Sequence, residues 1–410
     1  MARSLNVLYL CRHQCPLVES GSKVRRGPSA AVTASDPRAC GRVTFDSTNV
    51  DIRRSARAVR DGWAVALTVL LSSLFGSPVV AQSLAQSLEV YSGDPVPRDV
   101  RDMYDRGLQY LVANQDSEGC WPSGHRGAGL AGMGLMCFLA SGEDPNYGLY
   151  SGNVRRALRF IINQQDKETG YFGISMYQHG FAMLGLAEAY GVVDDTKLWS
   201  DSAGSQRMTI GQSLELAVRS ALTSQKNNPH GAWRYSPNGN DADTSVAGSI
   251  LMGLLAARNA GIEVPDEAID RAIAYFVSMT AESGQVAYSG GVGGFNESLA
   301  RISIGTLVYS IARRKDLPQF KQTLDYIKEK AQGGSSGHGG IEYQSYYQAQ
   351  ALFQGDIETW KKWNKQLIDR MKSEQKDNGG FDGSQGPYVA TTLSLLALAV
   401  NYRFLPIYER

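Results

Sequence analysis

The sequence predicts an all-α fold, an (α/α)6 barrel of six helical hairpins arranged as an inner and an outer ring. Three observations predict it. A Gln followed by a Gly with an aromatic two places further on recurs four times, as Gln115 with Gly119 and Trp121, Gln165 with Gly170 and Phe172, Gln225 with Gly231 and Trp233, and Gln375 with Gly379 and Phe381. Each of these turns lies between a stretch charged on one face and a stretch apolar nearly all round, and such pairs recur at a period of roughly 45 to 60 residues, the mark of a repeat of helical hairpins. Strand periodicity is nearly absent.

The elements follow in order. The amphipathic member of the first pair is VRDMYDRGLQYLVANQ and its apolar partner is GAGLAGMGLMCFLASG; the second pair is NVRRALRFIINQQ with YQHGFAMLGLAEAYG. IGQSLELAVRSALTSQ with DTSVAGSILMGLLAARNAG makes the third, and PDEAIDRAIAYFVSM with LARISIGTLVYSIARR the fourth. FKQTLDYIKEKAQ with YYQAQALFQG and ETWKKWNKQLIDRMKSEQ with YVATTLSLLALAV complete the six. A half-polar helix can face water, whereas one apolar all round must be enclosed by protein. The apolar members therefore form the inner ring. The last of them has no polar face with which to cap an open solenoid, so the ring is expected to close on the first hairpin. In the turns, Gln165 is expected to tie the end of its outer helix to the start of the next inner one through its amide, and Phe172 to pack between hairpins.

The chain has 410 residues, a net charge of +1 and 44 glycines. That near-neutral balance gives no electrostatic case for nucleic acid, and no basic helix marks a membrane surface. Arg53, Arg54, Arg57 and Arg60 precede an apolar run from Trp63 to Phe75, with Val79 and Ala81 as small residues at cleavage spacing. Residues 53–81 read as a secretory signal, leaving no membrane span once cut, with an uncut N-terminal anchor as the alternative. Residues 1–52 read as unstructured sequence ahead of the true start, 82–97 as a linker, 98–402 as the barrel and 403–410 as a tail. Without the first 81 residues the chain keeps 30 Lys and Arg against 35 Asp and Glu, a net charge of −5. Of the cysteines it keeps Cys120 and Cys137, which either pair in an oxidising compartment or serve as small buried hydrophobes.

The repeated Gln…Gly-x-aromatic turn and the hairpin count resemble the α/α-toroid superfamily, that is, class II squalene and terpene cyclases and the β subunits of protein prenyltransferases. The likeness spans about residues 98–402. More closely, the chain resembles the exported prenyltransferase and squalene oxidase repeat proteins of planctomycete-type bacteria. The segment NDADTS resembles the cyclase Asp-x-Asp-Asp-Thr motif, and the resemblance implies Asp243 as general acid with Asp241 as its only coupled carboxylate, since Thr244 stands where the family has a third Asp. The plain reading of Asp243 is an N-cap, ionised and held low by the helix dipole. YQHGF is similar to the prenyltransferase helix start in which a His contacts the isoprenoid diphosphate, matching His179, but GGFNESLARIS offers Arg301 as its nearest cation where that family has an Arg and Lys pair. The zinc ligands of that family have no counterpart, Gln348 standing where the zinc His would be and His338 reading as a solvated loop residue. No metal site and no cofactor are expected.

The starts of the inner helices should converge on one mouth, bringing His125, Arg126, Tyr177, His179, Asp241, Asp243, Glu297, Arg301, Glu342, Tyr343, Tyr346, Tyr347 and Tyr388 towards it. A ring of aromatics with few charges suits an elongated apolar, isoprenoid-like lipid held at one polar end, or a peptide. For each tyrosine the plain alternative is packing between hairpins with the hydroxyl at the rim. The sequence therefore reads as an exported binding or interaction protein, the alternative being an isoprenoid-directed enzyme of the cyclase type with Asp243 as its acid.

Overall fold

The computed structural model describes residues 96–199, 207–290, 297–331 and 340–408. The expected signal segment 53–81, the sequence before it, most of the linker and His338 lie outside the described residues. Within them stand twelve helices of twelve or more residues and one short one. They are α1 Arg98–Asn114, α2 Ala128–Leu139, α3 Ser151–Gln164, α4 Met176–Ala189, the short α5 Asp195–Leu198, α6 Ile210–Asn227 and α7 Thr244–Asn259. Then follow α8 Asp266–Ser278, α9 Leu299–Ile311, α10 Pro318–Lys330, α11 Ile341–Gly355, α12 Ile357–Glu374 and α13 Pro387–Ala399. Among the described residues the only strand pairing is two isolated bridges, Asp243 with Ser289 and Thr280 with Val286.

The two helix classes separate as their patterns require. On α3, Val154, Ala157, Leu158 and Ile161 recur at helical spacing and are buried while the intervening arginines are not. On α2 every residue from Ala128 to Phe138 is buried. The six inner helices pack in the cyclic order α2, α4, α7, α9, α11, α13 and back to α2, which closes the ring. Each outer helix lies against the inner helix of the hairpin before it, and α1 completes the outer layer by packing on α13.

The repeated turn is a hydrogen-bonded clasp. Gln165, at the C-cap of α3, donates from Nε2 to Gly170 O and to Ser213 O, both at 2.9 Å, and its Oε1 accepts from Ser213 Oγ at 2.6 Å. Gln115 reaches Gly119 O and Asn153 O at 3.1 Å, Gln225 reaches Gly231 O and Ala268 O at 2.8 Å, and Gln375 reaches Gly379 O and Met103 O at 2.8 Å. In every case the second carbonyl belongs to the next outer helix, not to the next inner helix as expected for Gln165. The cause is the turn glycine. Gly170 has φ +75° and sits so close to α6 that a Cβ would lie 2.2 Å from Leu216 O, which presses the turn backbone against the outer ring and leaves the amide facing it. Phe172 is buried as expected, and Trp121 and Trp233 each donate from Nε1 to a carbonyl of the outer helix before them, Leu111 O and Ala221 O, at 2.8 Å.

A fifth copy of the turn lacks both signature side chains. Ala281 N donates to Gln285 O as Asp166 N does to Tyr171 O, both at 2.9 Å, and Gly284 has φ +85° with Gln322 O of α10 only 2.3 Å from its would-be Cβ. The motif aromatic is replaced there by Val286, itself buried.

The two cysteines are buried and free. The end of the chain, expected as a tail, is built into the core: Leu405, Ile407 and Tyr408 are buried, and the 3-10 turn Pro406–Tyr408 packs on α7. Tyr408 Oη donates to Leu396 O of α13 at 3.1 Å, and Gln354 of α11 donates to Tyr408 O at 3.4 Å. These partners lie near the C-terminal ends of inner helices. The turn therefore seals the base of the ring, leaving the ends where the inner helices begin as the mouth.

Candidate functional site: the mouth of the ring

A cavity of about 880 Å³ opens at the starts of the inner helices. One wall is apolar. Leu130 and Met133 of α2, Phe181 of α4, and Val389 and Leu393 of α13 line it, each pair at a spacing that puts both side chains on one helix face. Met133, Phe181 and Leu393 lie six or seven residues into their helices, about 9 Å below the helix starts at 1.5 Å per residue, and form the floor.

The facing wall is polar and aromatic: Tyr177 of α4, Ser245 of α7, Ser298 at the N-cap of α9, Arg301 of α9, and Tyr343 of α11. Two rim tyrosines complete it, with Tyr235 Oη 3.2 Å from Tyr288 Oη. Their placement follows a rule that the Gly-x-aromatic register conceals. After three of the five turn glycines the second residue on is buried and the fourth lines the mouth. Ile174 follows Gly170 by four, Tyr235 follows Gly231 and Tyr288 follows Gly284, and all three line the cavity. Their backbones also join neighbouring hairpins, since Tyr235 O accepts from Met176 N at 2.8 Å and Tyr288 O from Thr244 N at 3.0 Å. These carbonyls satisfy donors that a helix start leaves open.

Two guanidiniums stand behind the rim. Arg234 lies over the rings of Tyr235 and Tyr288, 5.5 and 5.3 Å from their centroids, and is paired with Asp241 and Asp243 at 3.3 Å each. Arg301 lies 5.9 Å from the Tyr288 centroid and donates from Nε to Val286 O at 3.1 Å, and burial lowers its pKa. Burial pushes the Tyr343 phenol up to about 12 and raises Tyr177 further.

Of the residues singled out in the sequence, Tyr177 and Arg301 line the cavity, with His125 and Tyr343 beside them. The others lie elsewhere. His179 is fully buried below the second turn, accepting from Phe172 N at Nδ1 (3.4 Å), donating from Nε2 to Ala217 O (3.0 Å) and packing 5.2 Å from the Phe172 ring. Its task is to hold the turn, and Thr391 does the same for Phe381 N in the sixth hairpin, at 2.9 Å. Asp243 is fully buried as the N-cap of α7, accepting from Val246 N at 2.9 Å, and Asp241 is exposed beside Arg234. The helix start was expected to lower the Asp243 carboxyl. Burial wins and raises it, against the opposing pull of Val246 N–H and Arg234. Glu342 is buried at the start of α11 against the backbones of Gly340 and Gly383. Tyr346 packs behind the wall on Phe181 and Tyr347, and Tyr388 stacks on Tyr110 at 5.7 Å with its hydroxyl on Asn114 Oδ1. Among the described residues no group of three or more His, Cys, Asp or Glu could hold a metal ion, and no helix is long and apolar enough to cross a membrane.

Two rings of alternately exposed and enclosed helices, closed on themselves with a cavity at one end, define an α/α-toroid. No protein-family model and no curated protein matches the chain in sequence. In structure it is similar to an inactive variant of the α-1,6-mannanase GH76A of Salegentibacter sp. HEL1_6 in complex with α-1,6-mannotriose, at 11% identity and a TM-score of 0.54 over 74% of this chain and 99% of that one. It is also similar to the type II terpene cyclase MstE from Scytonema in complex with geranylgeranyl dihydroxybenzoate, at 13% identity and a TM-score of 0.53 over 75% and 98%. A third similar structure is cellobiose 2-epimerase from Bacillus thermoamylovorans B4167, at 11% identity and a TM-score of 0.54 over 73% and 98%. At these identities the shared property is the fold.

Proposed function

We propose that the protein is a binding protein for one elongated, mainly apolar ligand of the isoprenoid class, taken end-on into the cavity. The observation that carries this reading is the division of the 880 Å³ space into an apolar floor of Met133, Phe181 and Leu393 and a tyrosine, serine and arginine wall. A volume of that order suits a drug-sized ligand. The cyclase among the structural neighbours holds a geranylgeranyl compound and the mannanase a mannotriose; an apolar floor favours the former kind of occupant. The described lining contains no Asp or Glu, whereas glycoside hydrolysis runs on a pair of carboxylates flanking the bond. Asp243, spent on its cap and on Arg234, is off the lining, which favours binding over cyclase-type protonation. Delivery to an exported compartment through the 53–81 signal is part of the proposal.

The test is to purify the protein, extract it with organic solvent and identify co-purified lipid by mass spectrometry. Leu393→Trp fills the floor and should remove at least nine-tenths of the bound lipid while the circular dichroism spectrum is kept. Equal lipid in the two proteins, or an apolar probe that neither one binds, would refute the reading.

A further inference from the structure

Building on that reading, we infer that the polar end of the ligand is an uncharged oxygen, an alcohol, ether or carbonyl, received by the hydroxyl of Tyr343. Three observations converge. The Tyr343 hydroxyl is buried, belongs to a cavity-lining residue and has no hydrogen-bond partner at normal geometry, although Tyr177, Tyr347 and Ser245 surround it. A buried hydroxyl left without a partner costs free energy. Its phenol, pushed up to about 12, keeps its proton at any physiological pH, so it is able to donate to a neutral oxygen brought within reach.

The second observation is the state of the cations. Arg234 is neutralised by Asp241 and Asp243, and Arg301 is engaged by Val286 O and the Tyr288 face, with burial working against its charge. A polyanionic head such as a diphosphate would enter this wall without matching positive charge, and an uncompensated buried charge is far more costly than a buried neutral oxygen. The third is the remaining wall chemistry. Ser245, Ser298, Tyr235 and Tyr288 contribute neutral hydroxyls, which both give and accept hydrogen bonds. A neutral oxygen needs no more than that.

The experiment uses the full chain and three probes with one twenty-carbon skeleton, delivered from cyclodextrin and followed by titration calorimetry: geranylgeraniol, geranylgeranyl diphosphate and the saturated hydrocarbon phytane. The alcohol should bind about ten-fold more tightly than phytane, the worth of one satisfied buried hydrogen bond, and at least ten-fold more tightly than the diphosphate. Tyr343→Phe should bring the alcohol down to the level of phytane and leave phytane unchanged. Tighter binding of the diphosphate than of the alcohol would overturn the inference, and so would equal binding of alcohol and phytane by the unaltered protein, a comparison that needs no variant to fold. An alcohol-to-phytane ratio unchanged in a folded Tyr343→Phe variant would remove Tyr343 as the receiving group. Binding of phytane with no preference for the alcohol defeats only the head-group inference, whereas failure of all three probes defeats the apolar-ligand reading as well.

Discussion

Acidification provides a sharp test of the clasp under the second turn. His179 is fully buried, and burial lowers its pKa from 6.5 to about 4 in spite of its hydrogen bond to Ala217 O. Between those two values the unfolded chain holds a proton that the folded chain refuses, so stability rises with pH there and falls as pH drops below 6.5. At 1.36 kcal/mol per pH unit, the interval from 6.5 to about 4 corresponds to about 3 kcal/mol, lost progressively on acidification and levelling off below pH 4. The assay is urea unfolding of the wild type and His179→Gln at pH 7, 5.5 and 4. Gln can still accept from Phe172 N and donate to Ala217 O but does not titrate, so the difference in stability between the two proteins should shift by about 3 kcal/mol in favour of the variant from pH 7 to pH 4. Asp243 and the other carboxylates are common to both proteins and cancel. A shift below about 1 kcal/mol would mean that His179 is protonated in the folded state, and the clasp as described would be refuted.

Further perturbations read other parts of the ring. Phe172→Ala removes a buried aromatic from the same clasp and should cost about 3 to 5 kcal/mol in denaturant unfolding; a cost below about 1 kcal/mol would show that the turn carries no packing load. Gln375→Ala strips a donor from Met103 O and Gly379 O and should cost about 2 to 4 kcal/mol, the penalty for two carbonyls left short of a partner. Ile174, an exposed β-branched residue at φ +61° on the cavity rim, stores backbone strain. Ile174→Gly should stabilise the protein by about 0.5 to 1 kcal/mol, relief of αL strain offset in part by unfolded-chain entropy, and raise the melting temperature accordingly; a lowered melting temperature would contradict it.

The ring was legible in the sequence because its determinants are local and repeated. A Gln, a Gly and an aromatic at fixed offsets, with two helix types told apart by their polar faces, are enough to count hairpins. The fourth hairpin shows the limit: its turn keeps the glycine geometry with Val286 and without the Gln, so the motif alone passes over it. The site was less legible because a helix start says which residues are near the mouth but not which way they turn. His179 and Tyr177 lie two residues apart on α4, yet one faces the turn below and the other the cavity. Asp243 was readable as a cap, but the Arg234 that pairs with it comes from the preceding turn, through a contact that no helical spacing encodes. Tyr235 was overlooked although its signal was present, four residues after the motif glycine Gly231, whereas Tyr288 holds the same place after Gly284, whose turn the motif does not mark.

The sealed base has a kinetic meaning. Gln375 bonds to Met103 across 272 positions of sequence, and the closing turn at Tyr408 docks on helices from three different hairpins. Contacts of such long sequence separation form only after the loop-closure entropy between them has been overcome. During synthesis, which runs from the N-terminus, the first five hairpins therefore exist as an open arc whose enclosed helices are still wet on one side. The arc becomes a ring, and the ring a cup, in one late step carried by the last thirty or so residues. A lesion in the closing turn Pro406–Tyr408 would leave every hairpin intact and uncover the ends of α11 and α13 on which that turn is bonded.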